Sequence, residues 1–185
     1  MSFTKYRKLI FLIFYLFILS SCKSQNKPDC LISMEEKLAP KVNELGEIGE
    51  IINLKDSVNC FEWDSLIVMP VIYLIENSEK ELGLKLPLQY NHLWTPDSQA
   101  ILLFVKDNKV MYYIVQNSGV DRESFENAKS IKSYSFLELL GYNGNEKFYI
   151  KIPREKAVFI THPMIYHENG QDKSNPKYGL GIRVK

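Results

Sequence analysis

Histidine and cysteine are scarce in this chain, three of each in 185 residues, and the motifs that usually set them in reactive sites are missing. There is no G-x-S-x-G, H-E-x-x-H, P-loop, G-x-G-x-x-G or EF-hand pattern, so the motif-bearing hydrolase, metalloprotease, nucleotide and calcium classes lose their usual evidence. Charge of one sign is lacking too: 23 Lys and Arg stand against 22 Asp and Glu. A nucleic-acid binder normally shows a net basic domain with its cations clustered on one face, so no nucleic-acid partner is expected. No apolar run reaches the roughly 20 residues that a spanning helix needs. Proline-, glycine- or serine-rich linkers, internal repeats and low-complexity tracts are also absent from the sequence. What remains is 45% hydrophobic and 12% aromatic, an ordinary globular composition that excludes collagen-like, coiled-coil and disordered chains.

The first residues read as an address. Lys5, Arg7 and Lys8 precede an unbroken apolar run, Leu9 to Leu19, whose length falls in the range of about 7 to 15 residues of a signal-peptide core. Leu19-Ser20-Ser21-Cys22 follows at once and resembles the lipobox of bacterial lipoproteins, where a type II signal peptide is cut before an acylated cysteine. The resemblance implies that residues 1–21 are removed and that Cys22 becomes a lipid-modified N-terminus. Several acyl chains, at about 0.8 kcal/mol per buried methylene, make a stable anchor. The alternatives are an uncleaved short anchor helix or a secretory signal with an incidental cysteine. Removing residues 1–21 takes away three cations and no anion, leaving 20 basic against 22 acidic residues and a formal charge of −2. Residues 22–29 then form the lipidated end and a polar tether. Lys23 stands where an aspartate often retains lipoproteins in the inner membrane, so the outer membrane is the expected address.

Lipidation would consume Cys22 and leave Cys30 and Cys60 as an even pair for an oxidising compartment. A bridge between them would stabilise the fold by about 3 to 4 kcal/mol. Two separate buried thiols remain the other reading. Neither cysteine has a C-x-x-C spacing or a neighbouring histidine, which argues against redox or zinc chemistry.

Residues 30–185 read as one domain. Ser33 with Glu36, and Ser78 with Glu81, form S-x-x-E capping boxes, the first before a helix that must stop near Pro40 and the second before Leu82-Gly83. Helical spacing recurs over Asp121 to Ile131 and Phe136 to Leu140. Strands are expected at 50–54, 61–69, 100–106, 109–116, 147–152, 156–161 and 178–184. Phe61, Trp63, Ile67 and Met69 are expected to share one face of the second of these. Asp107-Asn108 is the clearest hairpin turn, since both residue types tolerate left-handed backbone. Pro153-Arg154 is read as joining the next two strands. Without regular βαβ alternation the fold class is α+β: a single antiparallel twisted sheet with a few short helices on one face.

The stretch Phe61-Glu62-Trp63-Asp64-Ser65-Leu66-Ile67-Val68 resembles an F-x-W-D-x-L-x-V strand found in uncharacterised small bacterial lipoproteins, and the likeness extends to the hairpin from Ile101 to Tyr113. It implies the fold and the address; it brings no chemistry. Met69-Pro70-Val71 stands where an aromatic pair often follows that strand.

Four residues are candidates for binding: Trp63, Asp64, His92 and Trp94. Trp94 and Tyr90 sit in an apparent loop, where aromatics serve either as anchors or as a lid over the core. Asp64 is either a functional carboxylate or a strand-edge aspartate that caps a turn or pairs with a Lys or Arg. His162 and His167, with Glu168, match no metal-ligand spacing, and no catalytic residue, metal or cofactor is expected. The preferred expectation is a lipid-anchored, non-catalytic interaction module that binds another envelope protein as accessory subunit or inhibitor. The alternative is a small-molecule or glycan-binding or processing protein with a pocket near Trp63, Asp64 and Trp94.

Overall fold

The computed structural model describes residues 27–71, 75–86, 99–120, 122–141, 148–168, 171–174 and 179–185. The leader, Cys22, His92 and Trp94 lie outside them. In chain order the elements are helix α1 (Asp29–Leu38), strands β1 (Lys41–Val42) and β2 (Ile51–Asn53), the single turn α2 (Leu54–Ser57), β3 (Ser65–Pro70) and helix α3 (Ile75–Leu82). The hairpin β4 (Gln99–Lys106) and β5 (Lys109–Asn117) follows, then helix α4 (Arg122–Asn127), β6 (Ile131–Lys132), β7 (Tyr134–Ser135) and a 3-10 turn at Phe136–Leu140. The chain closes with β8 (Ile150–Pro153), a 3-10 turn at Arg154–Lys156, β9 (Val158–Pro163), β10 (Ile165–Glu168), β11 (Gln171–Ser174) and β12 (Leu180–Val184). The fold is α+β.

The strands divide between two four-stranded sheets, ordered β5-β4-β3-β8 and β2-β9-β12-β7, with two-stranded ribbons β1-β6 and β10-β11 beside them. This corrects the single sheet expected from the sequence. The division happens at Pro153-Arg154, which is a 3-10 crossover and not a hairpin turn. It delivers β8 to the edge of the first sheet, beside β3, and β9 to the middle of the second. The β12–β7 pair is parallel; the other pairs are antiparallel. Both faces of the first sheet are buried. Leu66, Val68, Leu102, Phe104 and Ile114 face a large cluster shared with α1 and the second sheet. Ile67, Met69, Ile101, Leu103 and Val105 face a smaller one closed by Leu82, Leu84 and Phe148. Apolar layers therefore cover this sheet on both sides, with Leu82 at the end of α3 on the face opposite α1, and helical segments do not share one face as expected.

Local chemistry explains the ends of the elements. Helix α1 begins at Pro28-Asp29, four residues before the expected capping box, and buries Leu31, Met34 and Leu38 at helical spacing. It stops where Ala39, preceding Pro40, turns extended with ψ 142°. Ser78 likewise lies inside α3, which ends at Gly83 with φ +64°. Asp107 and Asn108 both have positive φ, 49° and 57°, as a two-residue hairpin of primed type requires. The strand expected from Phe61 starts only at Ser65, and this changes the facing of the residues before it. Phe61 and Trp63 pack in the large cluster with Leu66 and Val68, not with Ile67 and Met69.

Candidate functional site

Trp63 is a core residue. Its side chain is 3% exposed, its Nε1 donates to Val58 O at 2.7 Å, and its ring meets Phe104 edge-on at 5.2 Å. Arg154 covers the outer side of the indole, its guanidinium 5.0 Å from the ring centroid. The disulfide Cys30–Cys60 lies directly ahead of this segment and ties the first turn of α1 to it, with Cα atoms 6.0 Å apart. Phe61 fills the gap between Tyr112 and Phe104, at 4.6 and 5.7 Å. These contacts withdraw the indole from any binding surface.

Asp64 is exposed, and its polar groups are engaged. Its Oδ2 accepts from Asp107 N at 3.2 Å and its Oδ1 from Ser65 Oγ at 2.9 Å. Its backbone N donates to Val105 O, and its carbonyl accepts from Arg154 N. One residue thus joins the start of β3, the β4–β5 turn and the crossover to β9. The structure brings Trp63 and Asp64 together as a folding node; His92 and Trp94 lie outside the described residues. His162, half-buried, has Nδ1 3.0 Å from Pro163 O and its ring pressed over Gly181, where an added Cβ would lie 2.4 Å from the ring. His167 and Glu168 fall in β10, and their side chains are outside the described set. Among the described residues no group of three His, Cys, Asp or Glu is placed to hold a metal.

A surface the sequence reading missed is better built. The loop from Asn43 to Glu50 is held to the second sheet: Gly46 sits on Leu180, where a Cβ would come within 2.6 Å of Cδ1. Glu47 O accepts from Thr161 Oγ1 at 2.6 Å, and Gly49 N donates to Thr161 O at 3.0 Å. Yet this tethered segment turns its aliphatic side chains outward. Leu45 is 62% exposed, Ile48 58% and Ile51 44%, with Val42 close behind. Ile51 belongs to β2, an edge strand whose only strand neighbour among the described residues is β9. Fixed backbone with exposed aliphatics is the opposite of an ordinary polar loop. The signal was in the sequence as Leu45, Ile48 and Ile51 at intervals of three, but outside a helix that spacing predicts no face.

Next to this edge, Glu50 Oε2 accepts from Tyr134 Oη at 2.9 Å and pairs with Lys132 Nζ at 3.1 Å. Burial, and then the bond to Glu50, push the Tyr134 phenol up to about 12. Burial works to lower the Lys132 ammonium, but its contacts with Glu50 and Tyr134 outweigh that and hold it above its ordinary value. The group fastens β2 to β6 and β7; a phenol held this firmly protonated is a poor nucleophile or base. A shallow polar cleft of about 450 Å³ is lined by Val42, Asn43, Glu123, Ser124, Asn127 and Ala128. Asn43 Oδ1 is already taken by Lys129 N, and Asn127 Nδ2 by Glu123 O.

The fold and these surfaces define an α+β protein with a disulfide-stapled N-terminal helix and an aliphatic edge beside β2. No protein family, curated protein or solved structure matches the chain. Among the described residues no helix is long and apolar enough to cross a membrane.

Proposed function

We propose that this protein is a lipid-anchored module of the bacterial cell envelope that acts by binding another protein, as an accessory subunit or an inhibitor, and not by catalysis. The observation that carries the reading is the tethered segment from Val42 to Ile51, which keeps Leu45, Ile48 and Ile51 in solvent on a backbone fixed by Gly46, Glu47 and Gly49. Exposed aliphatics on a fixed support cost solubility and favour association. The address rests on the charged leader, its apolar run and the Leu19-Ser20-Ser21-Cys22 lipobox, with acyl chains on Cys22 as the membrane contact and Lys23 favouring the outer membrane. The Cys30–Cys60 bridge suits an oxidising envelope compartment and secures the helix nearest the tether.

Crosslinking in cells, followed by purification and mass spectrometry, tests this. The anchored protein is expected to capture one reproducible envelope protein that is lost with Ile48→Asp and with the unanchored Cys22→Ser form. Equal capture by all three forms, or none by abundant folded protein, would overturn the proposal.

A further inference from the structure

The Cys30–Cys60 disulfide closes a loop of the chain with a sequence separation of 30. Nearly all of α1, then β1, the tethered segment from Val42 to Ile51, β2 and α2 lie inside that loop. Cys22 and the tether lie outside it, on the N-terminal side of Cys30. Beyond the bridge, Cys60 leads through the buried Trp63 and the bonded Asp64 directly into β3.

A pull on the N-terminus therefore has two possible routes into the fold. Without the bridge it meets α1 at its first turn. That helix has ten residues and buries Leu31, Met34 and Leu38, one on each turn. A helix this short does not persist alone in water, so it is drawn off turn by turn. Next in line is β1, which has only the two pairs Lys41 with Lys132 and Val42 with Ile131, and then the partner-binding segment itself. With the bridge closed, the pull crosses from Cys30 to Cys60 and reaches β3. This strand pairs with β4 from Ser65 to Pro70 and with β8 from Ser65 to Val68, and Asp64 ahead of it is bonded to Val105 O and Arg154 N. A central strand held on both sides opens only with the whole fold.

We propose that the Cys30–Cys60 bridge is a strap that passes load from the membrane anchor into β3 and spares α1 and the partner-binding segment from being drawn off the sheets. This rests on the lipid-anchored reading above. Backbone enclosed by a closed bridge carries no tension applied outside the loop, so residues 31–59 stay docked while the tether is stretched.

Single-molecule pulling of the unacylated full chain tests the strap. One handle is joined by a thioether to Cys22, the free thiol when Cys30 and Cys60 are bonded, and the other to a peptide tag after Lys185. With the bridge closed, the fold is expected to give way in one event with no earlier extension. With Cys30→Ala and Cys60→Ala together, an earlier step at lower force should release about 100 Å, the extended length of the span of 30 that the bridge closed. Dithiothreitol opens the bridge in the parent without substitution, each cysteine sulfur taking up a hydrogen as the reagent closes its own disulfide, and should produce the same step. Trp63→Phe lowers stability with the bridge intact and should show no early step. A single event at the parent's force in both open forms, or an early step in the closed parent or in Trp63→Phe, would overturn the strap. Because the pull is applied at Cys22 itself, these outcomes are separate from acylation. The mass of the N-terminal peptide from cells reads acylation, and an unmodified Cys22 there would overturn the anchored reading and not the load path.

Discussion

Trp63→Ala separates a core indole from a surface anchor. Truncating a buried aromatic costs about 3 to 5 kcal/mol. Val58 O then loses the donor it holds at 2.7 Å, and a buried carbonyl left unpaired adds about 1 to 3 kcal/mol. The edge-on contact with Phe104 is lost in the same step. Trp63→Phe keeps most of the apolar area and removes the N–H, so its cost should be about 1 to 3 kcal/mol. Against a typical total of about 5 to 15 kcal/mol, the alanine variant gives up a large share of the stability. Urea unfolding followed by far-UV circular dichroism, with the disulfide intact, measures this. At a slope of about 2 kcal/mol/M the alanine variant should shift its midpoint by about 2 M or more, with the phenylalanine variant between it and the parent. A midpoint within about 0.25 M of the parent would refute the packing described and return Trp63 to the list of exposed binding residues.

Four further outcomes follow from the same contacts. Cys60→Ser opens the Cys30–Cys60 bridge and should cost about 3 to 4 kcal/mol in the same unfolding assay, without displacing α1 from the core in the folded state. Asp64→Ala removes the acceptor of Asp107 N and should cost about 1 kcal/mol, with Asp64→Asn losing less; a neutral Asp64→Ala would mean that the turn needs no cap. Gly46→Ala places a methyl against buried Leu180 and should cost about 1 to 3 kcal/mol; an unchanged midpoint would show that the loop is free to lift. The Tyr134 phenol and the Lys132 ammonium are both held above their ordinary values, so the stability they contribute is complete below about pH 10. That contribution is lost as pH rises toward about 12, because the unfolded chain releases its protons first. Tyr134→Phe should flatten the alkaline fall in melting temperature; an unaltered slope would remove the phenol as its cause.

Much of the local structure was legible in the sequence because its causes are local. Asp107-Asn108 announced the β4–β5 turn, Pro40 ended α1, and Gly83 and Gly141 took the left-handed positions after their helical turns. Counting left Cys30 and Cys60 as a possible pair beside the reading of two separate buried thiols, and it is the structure that joins them. The facing of Phe61 and Trp63 was misread because alternation was extended through residues that are not yet strand. The candidate site fared worse. Trp63 attracted attention as a large aromatic beside an acid, and only the positions of Val58, Phe104 and Arg154 show that it is enclosed.

The sequence by itself determined the class of fold, the strands with strong apolar runs, the hairpin turn, the helix stop at Pro40 and the residues that read as a lipoprotein leader. Each depends on neighbours a few positions away. Tertiary structure alone decided that the strands form two sheets, because Pro153-Arg154 can turn back or cross over and the choice lies with the pairing of β8 with β3 and of β9 with β2 and β12, all of them outside the local segment. It also decided which side of the chain is left in solvent. Leu45, Ile48 and Ile51 are chemically the same as the aliphatics of the core, and what keeps them outside is the seat of Gly46 on Leu180 and the bonds of Glu47 and Gly49 to Thr161, contacts that no local pattern encodes.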